Sequence, residues 1–588
     1  MKRLIALSAV AAIATASFGS QDVESRLSAM ESKVKKLEKE LKKAKKTATD
    51  AKILANADNI KWDVNLRTAV DKINYTSAEG KKYSNDALLT NRLWLGMGYA
   101  PSENIIFKGK LAYHKVFGAA PVGDNTNGTN TNGMPQRGYG YDAFDWVNAE
   151  TANSDKVTVK EAYWLYMNDT FLGTDVSWTA SVGRRPSTDG FLSNMRNDTP
   201  AQSPLGHIID VEFDGASFKF GLDKVTGVDG MYWKLCLGRG MSNATPRFDM
   251  SGGLDSKGDY SEDKNALDTI DLAGFIFVPY NDGQYSVETT MFKANNLPGF
   301  EAANGTLALS GTDFTLDGDG MVSKMKDSGT LMTGGTFGGM QATEFNAAKV
   351  EMKTMGDLSG AAISFKADGL GDDISDFLND TTFFASWAQS KTSPDNNRDV
   401  MDTSAFDNFI GGDGAAVATG IAGMETMYNM DIDADGTIGA VTDMATGMVN
   451  AGNMSKRKSG MLGSTKSETG SSIYMGVNMP CPLTEDGRIG VEWNKGSKYW
   501  RSFTYAEDTM AGSKLATRGT AWEVYYTKPL LKELTFQVRY TNITYDYTGS
   551  QAFFGDDGTP MTMAEAKGFG MDPIEKATDL RASITYRF

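Results

Sequence analysis

The chain has 588 residues and a formal net charge of −15 at pH 7, from 59 Lys and Arg against 74 Asp and Glu. It has only 2 Cys and 2 His and no CxxCH motif, which supports neither covalent haem, nor a His-rich metal centre, nor a nucleophile–His–Asp triad. Beyond residue 20 no apolar run approaches the roughly 18 residues of a membrane-spanning helix. We therefore expect neither an enzyme nor a helical membrane protein.

The first 20 residues have the pattern of a secretory signal peptide. Met1–Arg3 is basic, Leu4–Ala16 is apolar, and Ala14–Ala16 supplies a small-x-small cleavage site. No Cys follows the apolar run, so we expect no lipoprotein anchor. We predict that residues 1–20 are a signal peptide and that the protein is exported by a bacterium.

Residues 22–58 are rich in lysine and carry a heptad pattern. Apolar residues recur at alternating spacings of four and three, at Val23, Leu27, Met30, Val34, Leu37, Leu41, Ala44, Ala48, Ala51 and Ala55. This spacing predicts a periplasmic coiled coil that promotes self-association, but it does not fix the number of helices. A single amphipathic helix packed on its own chain is the alternative.

From Trp62 onwards apolar and polar residues alternate, and Leu66 and Val70 share the face of Trp62 while Arg67 lies on the other. Period-two alternation is typical of strands whose faces meet different solvents, here lipid and a watery lumen. We predict an all-β fold, a transmembrane antiparallel β-barrel within residues 59–588, with about 16 strands. They lie at 62–71, 92–99, 105–114, 157–169, 175–184, 207–224, 231–239, 267–278, 283–293, 360–367, 380–391, 471–479, 487–497, 518–528, 533–547 and 577–588.

Short and long connections alternate along the chain, as a bacterial barrel with both termini in the periplasm requires. The long polar connections are 118–156, 185–206, 240–266, 295–359, 392–470, 498–517 and 548–576. The count depends on residues 207–224, which we interpret as one long strand with a bulge at Asp214-Gly215. If Asp214-Gly215 is instead a hairpin turn, 18 strands are expected.

The strand 577–588 carries an apolar face that ends on Tyr586 and Phe588, and its other face places Arg581 in the lumen. A terminal Phe with an aromatic residue two positions earlier resembles the signal read by the outer-membrane barrel assembly machinery. We predict that Tyr586 and Phe588 form this assembly signal. We also expect the strand to close the barrel against the one that begins at Trp62.

Two nearby segments carry a family resemblance, Gly183–Gly190 (GRRPSTDG) and Asn194–Arg196 (NMR). Together with the signal peptide, the N-terminal coiled coil and the C-terminal YRF, they resemble a porin-like outer-membrane protein family of campylobacterial (epsilonproteobacterial) type. The resemblance implies an outer-membrane protein with a pore function. It implies no substrate and no catalytic residue.

The connection 185–206 follows the fifth strand, so it is the third external loop. It resembles in position and length the loop that narrows the channel of trimeric general porins. We expect it to be a constriction loop in which three arginines oppose two acids, because pore charges set ion selectivity. These residues are Arg184, Arg185, Arg196, Asp189 and Asp198. The alternative is that Arg184 and Arg185 bond loop backbone at the barrel rim.

Further charged residues fall on the lumen face of their strands by the same alternation. These pore-lining candidates are Arg67, Lys108, Lys110, Lys219, Lys234, Arg488, Glu492, Arg539 and Arg581.

A calcium-binding pattern occurs in the connection 392–470. The segment resembles an EF-hand loop in which positions one, three, five and seven are Asp431, Asp433, Asp435 and Thr437. Gly436 lies at position six, where the loop turns sharply. The bidentate Glu expected at position twelve is Thr442, which weakens the site. A structural Ca²⁺ in this loop is one interpretation, and a solvated acidic turn is the other. No other cofactor is expected.

The sequence is consistent with two functions, and neither is catalytic. The first is an outer-membrane porin for passive diffusion of small hydrophilic solutes or ions. The second is a structural or adhesive surface barrel whose lumen is blocked by its large loops 295–359 and 392–470, tethered by the coiled coil. Expected partners are outer-membrane lipid, lipopolysaccharide, the barrel assembly machinery and further copies of the chain, with a trimer as the working assumption.

Overall fold

The fold is known from a computed structural model that describes most of the chain from residue 60 onwards. The described residues are 60–118, 152, 157–186, 190–201, 205–245, 258–262, 267–302, 330–332, 335–337, 340–342, 345–346, 350–370, 374–396, 399–401, 456–458, 460–504, 507–551, 554–555, 558–568 and 570–588. The predicted signal peptide and coiled coil lie outside these residues and stay predictions.

Sixteen long strands form one antiparallel sheet that closes on itself. In chain order they are β1 (Lys61–Ser77), β2 (Lys82–Tyr99), β3 (Ile105–Val116), β4 (Thr158–Asn168), β5 (Ser177–Arg185), β6 (Phe213–Gly221), β7 (Tyr232–Met241), β8 (Ile270–Asn281), β9 (Tyr285–Ala302), β10 (Val350–Asp368), β11 (Thr382–Pro394), β12 (Thr469–Pro480), β13 (Arg488–Gly496), β14 (Gly519–Leu531), β15 (Leu534–Tyr545) and β16 (Ile574–Arg587). Each strand pairs with the next, and β16 pairs with β1. The predicted transmembrane antiparallel β-barrel of about 16 strands is confirmed.

Shorter elements accompany these strands. Short strands lie at Thr330–Met332, Gly335–Phe337, Met340–Ala342, Phe345–Asn346, Asp399–Met401, Lys456–Lys458 and Phe554–Gly555. Among the described residues the helices are a 3₁₀ turn at Ser193–Asn197 and three short segments, α1 (Asp223–Thr226), α2 (Asp376–Asn379) and α3 (Met563–Gly568). No helix in the described part of the chain is long and apolar enough to cross a bilayer.

The two faces of each strand differ in polarity. On β1, Trp62 and Leu66 are 51% and 39% exposed on the outer face, whereas Arg67 on the inner face is 4% exposed. On β16, Ile584 is exposed on the outer face and Arg581 is buried on the inner one. Because side chains alternate with period two, a register slip of one residue would turn the charged face to lipid, so this pattern fixes the register.

The barrel has a turn end, where β1 begins and β16 ends, and a loop end opposite to it. Connections at the turn end are 100–104, 169–176, 222–231, 282–284, 369–381, 481–487 and 532–533. Connections at the loop end, numbered L1 to L8, are 78–81, 117–157, 186–212, 242–269, 303–349, 395–468, 497–518 and 546–573.

L1 is an exception to the predicted alternation of connection lengths. The strands β1 and β2 extend beyond their predicted ends and meet in a tight turn. In this turn the N–H of Gly80 donates to the carbonyl of Ser77 at 2.8 Å. Gly80 has φ +84°, a left-handed conformation that glycine adopts without a steric cost. The other loop-end connections are longer, as expected.

The segment 207–224 is not one long strand. Only Phe213–Gly221 belongs to β6, and residues 205–212 belong to L3. Gly215 pairs in regular register with Gly183 of β5 and Gly238 of β7, so neither a bulge nor a hairpin turn is present there. The predicted bulge is wrong, and so is the alternative of 18 strands.

A hydrophobic core lies inside the barrel, where L3 and L7 meet the inner faces of β8–β12. L3 contributes Leu192, Leu205, Ile208, Ile209 and Val211, L7 contributes Trp500, Phe503 and Leu515, and the wall contributes residues such as Phe292, Phe384 and Tyr474. The two loops also share backbone hydrogen bonds, because Asp210 N–H donates to Phe503 O at 2.6 Å and Phe503 N–H to Ile208 O at 2.9 Å. Part of the lumen is therefore filled by protein.

Candidate functional site in the barrel lumen

The strand residues predicted to line the pore lie on the inner face of the barrel. Residues directly opposite each other on paired strands share a face, and Lys219 lies opposite Lys234 while Arg539 lies opposite Arg581. The inward-facing candidates are Arg67, Lys108, Lys110, Lys219, Lys234, Arg488, Glu492, Arg539 and Arg581. Their role in permeation stays a prediction.

Two of these candidates, Arg67 and Arg581, converge with a third arginine, Arg92, on one aspartate of L7. Arg67 of β1 and Arg92 of β2 lie opposite each other in register, and Arg581 comes from β16. Asp508 accepts from Arg67 Nη2 at 3.0 Å, Arg92 Nη1 at 3.1 Å and Arg581 Nη1 at 3.2 Å. Its backbone carbonyl accepts from Arg539 Nη2 at 2.8 Å. We call this set the arginine group.

The charge of Asp508 is stabilised by these contacts. Burial alone raises the pKa of a carboxyl group. The positive charges of Arg67, Arg581 and Arg92 outweigh that burial and hold the pKa of Asp508 well below its ordinary value. Asp508 is therefore ionised at neutral pH and neutralises an arginine row that would otherwise repel itself.

A second group joins L7 to the acids of β13 and β14. Glu492 and Glu523 lie directly opposite each other, and like charges in that position repel. Lys514 of L7 forms ion pairs with both, the one to Glu523 at 2.9 Å. Arg196 of L3 reaches Glu507 of L7 at 3.3 Å and Glu523 at 3.5 Å. We call these five residues the glutamate group.

L3 crosses the lumen and contacts distant parts of the wall. Gln537 of β15 donates to the carbonyl of Arg196 at 2.7 Å, and Arg587 of β16 donates to the carbonyls of Asn197 at 2.5 Å and Asp198 at 3.2 Å. L3 begins at the end of β5, so it spans the barrel interior from β5 to β16.

The other part of L3 is held by His207, which is fully buried. Its Nδ1 lies 2.8 Å from Ser386 Oγ on β11, and its Nε2 lies 3.0 Å from Ser472 Oγ on β12. Burial lowers the pKa of His207 to about 3. The neutral imidazole has one donor and one acceptor, which matches two hydroxyl partners.

The predicted constriction residues do not oppose one another as expected. Arg196 pairs with acids of L7 and β14, and Arg184 donates to the carbonyl of Val159 at 2.9 Å and to Glu212 at 3.4 Å. Arg185 stacks on Tyr163, and Asp189 lies outside the described residues. The expected opposition to Asp198 is therefore wrong for Arg196, although L3 does enter the lumen.

A cavity of about 810 Å³ lies beneath L3 and reaches the turn end. Its lining includes Phe191 and Asn194 of L3, Lys366 of β10 and Arg488 of β13. Arg488 bonds Asn478 Oδ1 at 2.6 Å and the carbonyl of Asp380 at 2.8 Å. The lumen is thus open on this side of L3.

The cysteines form no disulfide, and no metal site is present in the part of the chain that the structure describes. Cys236 and Cys481 are free thiols. The described residues contain no group of three or more His, Cys, Asp or Glu suited to a metal ion. Asp431, Asp433, Asp435 and Thr437 lie outside the described residues, so the calcium site stays a prediction.

A family model with the description "Protein of unknown function (DUF3373)" matches residues 82–588. The chain belongs to this family. The matched region contains both L3 and L7, while the coiled coil, the campylobacterial type and the C-terminal assembly signal stay predictions. Comparison with curated proteins gives no significant match.

Comparison with solved structures gives weak similarities, among them three proteins. The chain is 9% identical to Salmonella typhi OmpF (complex with Daunomycin), covering 90% of this chain and 98% of that one with a TM-score of 0.37. It is 9% identical to an anion-selective porin from Comamonas acidovorans, covering 90% of this chain and 99% of that one with a TM-score of 0.39. It is 11% identical to Pseudomonas putida OprB, covering 92% of this chain and 96% of that one with a TM-score of 0.38. Similarities this weak say nothing about solute, oligomeric state or mechanism.

Proposed function

We propose that the protein is an outer-membrane porin for passive diffusion of small hydrophilic solutes or ions, and that it is not an enzyme. The observation that carries the proposal is the closed barrel itself, apolar on its outer face and charged on its inner face. A polar lumen inside an apolar wall is the arrangement of a water-filled pore. The charges along such a lumen set which ions pass.

The two inward loops would limit the width of the pathway. L7 docks on the wall from β13 to β2 through the arginine group and the glutamate group. L3 crosses the lumen above the cavity at the turn end. Solutes would pass along the wall that L7 does not cover, and the loops would act as the constriction.

One observation favours the alternative, a structural or adhesive surface barrel with an occluded lumen. The hydrophobic core formed by L3, L7 and β8–β12 lies inside the barrel, where a wide channel would hold water. Such a core stabilises closed loops, because apolar surface is removed from water. In this alternative the coiled coil at 22–58 would tether the barrel.

Conductance of the purified full-length protein in planar bilayers separates the two functions. Stepwise openings of reproducible size support the porin. The absence of conductance steps at high protein concentration supports the surface barrel, provided that the heat-modifiable mobility in gels shows that the barrel is folded. A membrane fractionation of the same protein tests the proposed outer-membrane location. Cross-linking before and after deletion of 22–58 tests whether the coiled coil sets the proposed homo-oligomer.

A further inference from the structure

The connections at the turn end of the barrel carry an excess of negative charge. The seven of them, 100–104, 169–176, 222–231, 282–284, 369–381, 481–487 and 532–533, contain 13 Asp and Glu but only 2 Lys and no Arg. Asp175, Asp229, Asp376 and Asp486 belong to four different turns and are exposed. None of these four forms an ion pair within the described part of the chain. The turn end therefore presents carboxylates to the solvent without a counter-charge of its own.

Apolar side chains are exposed among these acids. Leu172, Leu483 and Ile374 are 89%, 88% and 75% exposed, and each lies in a different turn. Val225 and Leu531 are exposed at the same end. Single exposed apolar residues are ordinary, but a set of them around one end of a molecule indicates a contact surface. We call the acids and apolar residues of these connections the turn-end surface.

The chain itself contains a segment of complementary composition. Residues 33–46 include 8 Lys against 2 Glu, and the heptad residues of 22–58, such as Leu27, Val34 and Leu41, form an apolar seam along the predicted helix. An amphipathic helix of this kind offers apolar residues to the exposed turn residues and ammonium groups to the carboxylates. Charge and apolar character thus match at the same time.

The same segment is attached to the barrel at the turn end. β1 begins there at Lys61, directly after residues 22–58. A 16-strand barrel is roughly 30 Å across, and a helix from residue 33 to residue 60 would be about 40 Å long. If it lies across the barrel mouth, its lysines reach the turns on the far side. Covalent attachment also raises the local concentration of the segment, so weak individual contacts are sufficient.

We propose that the predicted helix at 22–58 docks across the turn-end surface of its own barrel, with its lysines on the acidic turns and its apolar seam on the exposed turn residues. This docking uses the seam that a coiled coil between copies would need. It does not depend on a conducting pore. In the porin proposed above, the docked helix would cover part of the turn-end entrance, and this consequence rests on the porin function.

Tryptic cleavage at the lysines of 33–46 in detergent-folded, full-length protein is the first test. Docking protects these sites, and cleavage follows the undocked population. The variant Asp175→Asn/Asp229→Asn/Asp376→Asn/Asp486→Asn removes one exposed carboxylate from each of four turns. We expect it to be cleaved about tenfold faster than the unchanged protein at low salt, and the difference to shrink at about 0.5 M NaCl, because salt screens exposed charges.

The matched control is Asp86→Asn/Asp214→Asn/Asp395→Asn/Asp546→Asn, which removes four exposed carboxylates from the loop end. It should be cleaved at the unchanged rate. Heat-modifiable mobility in gels verifies that each variant is folded. Equal cleavage of the turn-end variant and the control would overturn the docking.

Carbodiimide coupling, which joins a lysine to a carboxylate in contact with it, is the second test. We expect cross-links from 33–46 to the turn-end connections of the unchanged protein, located by mass spectrometry. Folding a mixture of isotope-labelled and unlabelled chains together separates links within a chain from links between copies. Links only between the 22–58 segments of different copies would indicate a coiled coil and overturn the docking. The absence of any link from 33–46 to the turn end would overturn it as well.

Conductance separates the docking from the porin function. If the protein conducts, deletion of 22–58 should enlarge the conductance steps. Turn-end cross-links in a protein without conductance would keep the docking and contradict the porin function. Conducting pores without protection or cross-links of 33–46 would keep the porin function and overturn the docking.

Discussion

The wall from β13 to β2 and the wall from β5 to β7 face each other across the lumen and treat their charges in opposite ways. On the first wall L7 supplies counter-charges, Asp508 to the arginine group and Lys514 to the two opposed glutamates. On the second wall Lys219 and Lys234 form no ion pair among the described residues, and Glu288 and Asp223 act on them only electrostatically. The difference indicates that charge on the first wall holds a loop in place, whereas the two lysines of the second wall hold no loop that the structure describes.

Of the variants considered, the removal of Asp508 should weaken the docking of L7 on the first wall the most. Asp508→Ala leaves three buried arginines without their carboxylate, and breaking such a pair costs about 3–5 kcal/mol. The sixteen-strand ladder remains, so the loss should release L7 and leave the barrel folded. We expect chymotrypsin to cleave after Phe503 or Leu515 at least a hundredfold faster, because cleavage follows the population of the open loop.

The control for this variant is Asp86→Ala, which removes an exposed acid paired with Lys72 at the loop end. It should leave cleavage unchanged. Larger single-channel conductance of Asp508→Ala would show that L7 restricts the pore. Cleavage of L7 at the same rate in both variants would mean that the arginine group does not hold the loop.

Removal of Lys514 should have a smaller effect on the same loop. Lys514→Met leaves Glu492 and Glu523 opposite each other, but Arg196 still contacts Glu523 at 3.5 Å. We expect L7 docking to weaken by about 2–3 kcal/mol, measured by the same protease assay. The matched control is Lys498→Met in the same loop, because Lys498 lies over the ring of Tyr499 and forms no ion pair with either glutamate of the glutamate group among the described residues. If the protease cleaves L7 at the same rate in both variants, the glutamate group does not hold the loop.

The stability of L3 should depend on pH through His207. Its pKa falls from an ordinary value of 6.5 to about 3 in the folded protein, because the ring is buried. The unfolded state therefore binds more protons between these values, and stability is lost as the pH falls from about 6.5 towards 3. From pH 6.5 to 5 the loss should reach about 2 kcal/mol.

Urea unfolding at pH 7 and pH 5 measures this loss. His207→Gln keeps a donor and an acceptor for Ser386 and Ser472 but does not titrate, so its stability should change less between the two pH values. The same pH dependence in the variant and the unchanged protein would assign it to other groups.

The barrel was predictable because each strand carries its own signal. Lipid on one face and a charged lumen on the other impose alternation on residues as near as Leu66 and Arg67, and that local pattern also gave the inward-facing charges. The same logic failed at residues 207–212. Ile209 and Val211 alternate with polar residues there, but they are buried against L7 inside the lumen, and a short apolar alternation does not reveal which surface covers it.

The docking of L7 was not predictable from the sequence. Arg67 and Asp508 are 441 residues apart and meet only because β1 and β16 close the barrel beside L7. No periodicity marks Asp508 or Lys514, since loop residues have no fixed facing. Arg92 was missed for a simpler reason, because it lies near the beginning of its predicted strand. In the structure it lies opposite Arg67, well inside β2.

The smallest expected effect concerns Lys219 and Lys234, which lie opposite each other on β6 and β7, and would sharpen the contrast between the walls. Lys219→Gln removes one of two opposed lysines, so it should stabilise the barrel by about 0.5 kcal/mol. Thermal unfolding of both proteins measures the difference, and a variant that is less stable than the unchanged protein would contradict the repulsion. Lys514→Met, in the loop that docks on the opposite wall, should instead destabilise, because the charge of Lys514 holds that loop in place.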